Sequence, residues 1–86
     1  MLKLEIEITN PTGLHTRPGT EFVRLAKTFE SEVQVRKGDK TANAKSLIKI
    51  LKIGISQGDV IEISAEGRDE SEALAKIREY IENLEE

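Results

Sequence analysis

The apolar residues of this chain change their spacing from one segment to the next, and that change restricts the fold more than any other feature. Leu2, Leu4, Ile6 and Ile8 fall at even positions with Lys3, Glu5 and Glu7 between them, the period of two expected of a strand with one buried face. After a turn-rich stretch at 9–14, Phe22, Leu25, Ala26 and Phe29 stand at i, i+3, i+4 and i+7. That spacing predicts a helix over about 17–28 with Pro18 tolerated in its first turn. Val33 and Val35 alternate with Glu32, Gln34 and Arg36, and the Gly38-Asp39 pair suits a tight hairpin into a short strand at 41–43. Ser46 then precedes Leu47, Ile48, Ile50, Leu51 and Ile53, with Gly54 behind them: an N-cap, a short helix and a C-cap glycine. Residues 60–65 read as a strand with Ile61, Ile63 and Ala65 on one face. Asp69 and Glu72 have capping-box spacing ahead of Leu74, Ile77, Ile81 and Leu84, which predicts a final helix.

The element order is therefore β-α-β-β-α-β-α. Because each strand has a single apolar face, the economical fold is an α+β open-faced β-sandwich, a four-stranded antiparallel sheet with three helices on one face, as one domain over 1–86. A chain of 86 residues buries only about 60 to 65% of the surface its unfolded state exposes, which favours a shallow surface site over a deep pocket. The absence of cysteine excludes disulfides, thiol chemistry and cysteine-based zinc sites. With 16 acidic and 13 basic residues the net charge is −3, which gives no electrostatic reason to expect nucleic acid as a partner. The alternating N-terminal segment is neither a signal peptide nor a membrane span, so no membrane insertion is expected and the default compartment is the cytoplasm.

His15 is the only histidine and falls where a loop enters a helix. The first N–H groups of a helix lack intrahelical partners and point towards such a residue, and the aligned peptide dipoles favour an anion there by roughly 0.3 to 1 kcal/mol. Arg17 can present a guanidinium fork to phosphate oxygens. On spacing alone an ordinary surface histidine is the better reading. Metal binding is weaker still, since no second His or any Cys exists to complete a site.

The local string changes the balance. Gly13-Leu14-His15-Thr16-Arg17-Pro18 resembles the Gly-Leu-His-x-Arg-Pro signature of the HPr family. Asn43-Ala44-Lys45-Ser46-Leu47 is similar to that family's second signature at the right separation, and Gly54, Gly58 and the segment 63–67 also match. The resemblance covers essentially the whole chain. It implies a phosphocarrier, not an independent enzyme, in which His15 is phosphorylated on Nδ1 by enzyme I and passes the group to sugar-specific IIA or IIB components. Arg17 would help to hold the phosphoryl group, with Thr16, Arg17 and Pro18 forming its binding turn. The resemblance also implies the strand order 1-4-2-3 and no cofactor, and the expected state is a monomer. Gly19 departs from the pattern, which usually has alanine. Glycine inside a helix costs about 0.5 to 1 kcal/mol relative to alanine, so a less rigid start to the helix is expected.

Ser46 has two readings. It is a good N-cap, and in branches of the family with a dedicated HPr kinase/phosphorylase the matching serine is a regulatory phosphorylation site. The apolar residues of the short helix cover more than half of its circumference, so Leu47, Ile48 and Leu51 are expected to stay exposed as a partner site. Around them Arg17, Arg24, Lys27, Lys45, Lys49 and Lys52 would form a basic ring, with Thr20 at its margin, suited to acidic partners and charge-steered encounter. Two other classes of function stay in view. A regulatory or adaptor relative would act by binding, or a nitrogen-branch relative would serve other partners; His15 and Arg17 both stand against a purely regulatory role. An RNA-binding sheet would need aromatic residues on its strands, whereas Phe22, Phe29 and Tyr80 all fall in predicted helices.

Overall fold

Seven elements form in the predicted order: β1 (Leu2–Glu7), α1 (Thr16–Lys27), β2 (Glu32–Lys37), β3 (Lys40–Asn43), α2 (Leu47–Ile53), β4 (Val60–Glu66) and α3 (Glu70–Glu82). The structure, a computed structural model, describes residues 1–85. The strands make one antiparallel sheet in the order β1-β4-β2-β3, as the family resemblance implies. Two split β-α-β units therefore interleave: α1 links β1 to β2 across the place that β4 fills, and α2 links β3 to β4 across β2.

Register explains why the alternating segments fold this way. Leu4, Ile63, Val35 and Ala42 stand opposite one another in a row across all four strands. Ile63 and Val35, on the two central strands, are fully buried, while Leu4 and Ile6 on the edge strand β1 are only half-buried and Leu2 is exposed. The helices cover this face, with Phe22, Ala26, Ile50 and Ile77 buried against it. The opposite face carries Lys3, Ser64, Gln34 and Asn43 in one row and Glu5, Glu62, Arg36 and Thr41 in the next. It holds no aromatic side chain, so it lacks the stacking platform that an RNA-binding sheet needs.

Two expectations from spacing differ from what forms. α1 ends at Lys27, before Phe29, and the Thr28 hydroxyl and N–H both donate to the Leu25 carbonyl, at 2.7 and 3.0 Å. Phe29 nonetheless reaches the core from the following loop, and Val23 joins the buried stripe. At the start of α3, Asp69 occupies the N-cap position but makes no capping bond. Its carboxylate accepts instead from the Glu30 and Ser31 N–H groups, each at 2.9 Å, and from the Ser31 hydroxyl. The capping box is not made, and Glu70 accepts from the Gly67 N–H at 3.0 Å in its place. Ser31, only 1% exposed, gives the reason: a buried hydroxyl needs an acceptor, and Asp69 is the one within reach. The Ser31 hydroxyl and then the Glu30 N–H hold the Asp69 carboxyl below the usual carboxylate range.

Candidate functional site

The loop leading to His15 is pressed against the segment that follows α2. Gly13 stands at φ +62°, and a Cβ there would lie 2.3 Å from the Ile55 carbonyl oxygen, so the position requires glycine twice over, for its dihedral and for its close approach. The Leu14 N–H donates to that same carbonyl at 3.1 Å, and Asn10 Nδ2 donates to the Gly13 carbonyl at 2.9 Å. Leu14 is 1% exposed, a plug in the core. Its neighbour His15 then emerges into solvent.

His15 is the N-cap of α1, with extended backbone at φ −81° and ψ −176°. Its carbonyl accepts the first bond of the helix from the Gly19 N–H at 2.7 Å, whereas its ring makes no capping bond. Helix geometry sends the amides of Thr16 and Arg17 out past this end, and Pro18 has no N–H to send. The first turn carries no acidic residue, so nothing on it offsets the positive end of the peptide dipoles. Thr16 and Arg17 are exposed, while Pro18 is buried and its carbonyl accepts from the Tyr80 hydroxyl at 3.0 Å. Thr16, Arg17, Thr20, Glu21 and Arg24 line one shallow groove along the helix. The Thr20 hydroxyl donates to the Thr16 carbonyl at 2.7 Å, and Arg24 and Lys27 are exposed in the last turn.

Gly19 has a steric reason beyond the sequence-based one. A Cβ on it would come 2.7 Å from the Leu14 carbonyl oxygen and 3.6 Å from a Leu51 methyl carbon. The glycine thus lets the first turn sit close to Leu14, and it shows that α2 lies alongside the site. In place of the looser helix start expected from propensity, Gly19 marks a tight seam.

On α2, Ser46 caps as expected: its Oγ accepts from the Lys49 N–H at 3.4 Å, and Gly54 closes the other end in the left-handed conformation. Ile50 and Ile53 are buried, while Ile48 is 70% and Leu51 40% exposed. Leu47 is a correction, being half-buried against the core. So is Lys45, whose ammonium donates to the Phe29 carbonyl at 2.8 Å and straps the β3–α2 turn to the end of α1 instead of standing open in the basic ring. Lys49 and Lys52 remain exposed beside Ile48 and Leu51.

Sequence reasoning missed the support beneath the site. The Lys37 ammonium reaches both the Gly54 carbonyl and the Asp59 carboxylate at 2.8 Å, and Asp59 also accepts the Ser56 N–H at 2.8 Å. Together they clamp the short segment carrying the Ile55 carbonyl. The Lys37 hydrogen bond first, and then the Ser56 N–H, hold the Asp59 carboxyl below its ordinary value. The only marks of this clamp in the sequence are the bracketing glycines Gly54 and Gly58.

Known proteins share both sequence and geometry. The family described as "PTS HPr component phosphorylation site" matches residues 2–83. The phosphocarrier protein HPr of Buchnera aphidicola subsp. Acyrthosiphon pisum (strain APS) is 45% identical over 85 residues, 99% of this chain and 100% of its own length. That of Haemophilus influenzae is 44% identical with the same coverage. The crystal structure of HPr-C-His from Thermoanaerobacter tengcongensis superposes with a TM-score of 0.94 at 48% identity, covering 95% of this chain and 92% of that one. Among the described residues no helix is long and apolar enough to cross a membrane.

An open-faced sandwich of this topology, with its lone histidine at the open end of the first helix, defines a class of small phosphocarriers of the phosphotransferase system. This chain belongs to the HPr family of that class.

Proposed function

We propose that His15 accepts a phosphoryl group from phospho-enzyme I and passes it to a histidine or cysteine of sugar-specific IIA and IIB components. The observation that carries this reading is the placement of the ring: exposed, not used for capping, and at the N-terminus of α1. In the transfer, the Nδ1 lone pair of the neutral ring forms a bond to phosphorus as the bond from phosphorus to the donor nitrogen breaks. The three phosphoryl oxygens keep their negative charge throughout. Positioning and charge stabilisation supply most of what such a transfer needs. Here the Thr16 and Arg17 amides and the Arg17 guanidinium supply donors, and the Pro18 turn fixes their direction.

Docking falls to the exposed face of α2, where Ile48 and Leu51 give an apolar contact and Lys49 and Lys52 steer an acidic partner. The chain works in this reading as a monomeric single domain over 1–86 in the cytoplasm. Phosphorylation of Ser46 by an HPr kinase/phosphorylase would add a charge of about −1.5 to −2 beside Ile48 and Lys49, opposing the same partners. The test is incubation with enzyme I and phosphoenolpyruvate. Wild type should gain an acid-labile, base-stable phosphate and His15→Ala should gain none. Absence of label on wild type, or equal label on both, would sink the reading.

A further inference from the structure

One side of the first turn of α1 lies close to Leu14 and to Leu51 of α2. Its other side faces α3, and the contact there is polar. Half-buried Tyr80 places its hydroxyl 3.0 Å from the Pro18 carbonyl and 3.2 Å from a Glu21 carboxylate oxygen. A phenol has one proton, so it donates to one of these acceptors at a time. They are not equivalent. The Pro18 carbonyl is backbone, within the turn whose amides face His15, whereas the Glu21 carboxylate is an exposed side chain that can move without that turn. The carboxylate is intrinsically the stronger acceptor, but it is exposed to competing water and lies farther away, at 3.2 against 3.0 Å. Pro18 therefore holds the proton most of the time, and whenever the proton points to Glu21 the tie to Pro18 is lost.

We infer that the Tyr80 hydroxyl is a positioning group for phosphoryl transfer, latching the first turn of α1 to α3, and that Glu21 competes for its single proton. This rests on the reading of His15 as the phosphoryl acceptor. Tyr80 acts only through the Pro18 backbone. Its value lies in holding the ring and the Thr16 and Arg17 amides in place before a partner arrives, so that no reorganisation is needed during transfer. Glutamine at position 21 would donate to the phenol oxygen and leave the phenol proton to Pro18. Tyr80→Phe and Glu21→Gln therefore push in opposite directions.

The experiment compares quench-flow transfer from phospho-enzyme I to wild type, Tyr80→Phe, Glu21→Gln and the double variant. Amide exchange is followed in parallel at Gly19, whose N–H closes the first turn on His15. Tyr80→Phe should slow transfer at saturation by about threefold to tenfold, the factor one hydrogen bond supplies, and speed Gly19 exchange similarly. Its half-saturating concentration should not change, because the α2 face is untouched. Glu21→Gln should speed transfer by up to about twofold, with the double variant matching Tyr80→Phe. Leu84→Ala, which removes apolar packing from the wall of the same α1–α3 groove but keeps the hydroxyl, should lower Tm and transfer at the wild-type rate. The latch is refuted if Tyr80→Phe transfers and exchanges like wild type, or if Leu84→Ala is slowed as much. It is also refuted if the Glu21→Gln gain survives in the Tyr80→Phe background, since the gain would then act through neighbouring Arg17. A wild type that takes no label overturns the carrier reading instead, and Gly19 exchange then decides the latch on its own.

Discussion

Replacing Gly13 with alanine loads the loop in front of His15 in two separable ways. The residue stands at φ +62°, where an L side chain costs about 1 to 2 kcal/mol. The new carbon would also lie 2.3 Å from the Ile55 carbonyl oxygen and 2.8 Å from Ser56 Cα, well inside contact distance. Relieving that overlap means withdrawing the Ile55 carbonyl by roughly 1 Å. The shift breaks the 3.1 Å bond from the Leu14 N–H, worth about 0.5 to 1.5 kcal/mol net, and adds overpacking strain of about 1 to 3 kcal/mol. The combined loss is about 3 to 6 kcal/mol, a large part of the roughly 5 to 15 kcal/mol that holds a domain folded. Gly38→Ala is the matched control, because Gly38 has φ +63° but nothing within 4 Å of the added carbon. It should lose only the dihedral part, about 1 to 2 kcal/mol. In urea unfolding followed by far-UV circular dichroism, a slope of about 1.5 kcal/mol per molar puts the Gly13→Ala midpoint about 2 to 4 M below wild type and Gly38→Ala about 1 M below. Equal midpoints for the two variants would refute the close approach as a source of the cost.

Arg17→Ala should slow phosphoryl transfer by about tenfold to a hundredfold at unchanged Tm, since an exposed guanidinium that holds the phosphoryl group contributes to transfer more than to folding; a rate within twofold of wild type contradicts its role. Ile48→Asp should fold normally, because the side chain is 70% exposed and an acid suits the first turn of a helix, yet raise the half-saturating concentration for enzyme I about tenfold. Ser46→Ala should cost about 0.5 to 1 kcal/mol in denaturant unfolding, at the low end for a cap because its hydrogen bond is long at 3.4 Å. Stability should also fall in acid. Asp59, Asp69 and Glu70 all have carboxyls held below their ordinary values in the folded chain. Depressed folded values contribute stability that is fully present above the unfolded values of about 4 and is lost as pH falls through the folded ones. Tm should thus stay level from pH 7 to 5 and drop below about pH 4, less steeply in Asp69→Asn; a Tm unchanged between pH 5 and pH 3 would contradict this.

The elements were legible because each carries one clean period and a stop signal: even-numbered leucines and isoleucines in β1, Ser46 and Gly54 around α2. Strand order was not readable from periodicity, since Leu2 pairs with Ala65 and Val33 pairs with the same residue from its other side, and nothing local in any of the three states a preference. His15 was legible through the string around it, whose physical content is plain in the fold: a glycine for close approach, a leucine to anchor, then an exposed ring. Side chains whose partners lie far along the chain escaped. Lys45 reads as a surface charge until Phe29 ends up beneath it, and Asp69 reads as a helix cap until Ser31, 38 residues away, takes its carboxylate. Polar residues choose partners after the backbone has folded, whereas apolar spacing reports which face will be covered whatever covers it.

The interleaving of the two split β-α-β units has a consequence for biosynthesis. β4 sits between β1 and β2, yet it is the last strand to be made. While only the first part of the chain has left the ribosome, β1 and β2 have no shared neighbour and the sheet has a gap at its middle. Nascent chains should therefore stay loose until residue 66 is free, then close in one late, cooperative step dominated by distant pairings. A truncation ending before Val60 should display no more than the β2–β3 hairpin, a two-stranded unit that is marginal on its own.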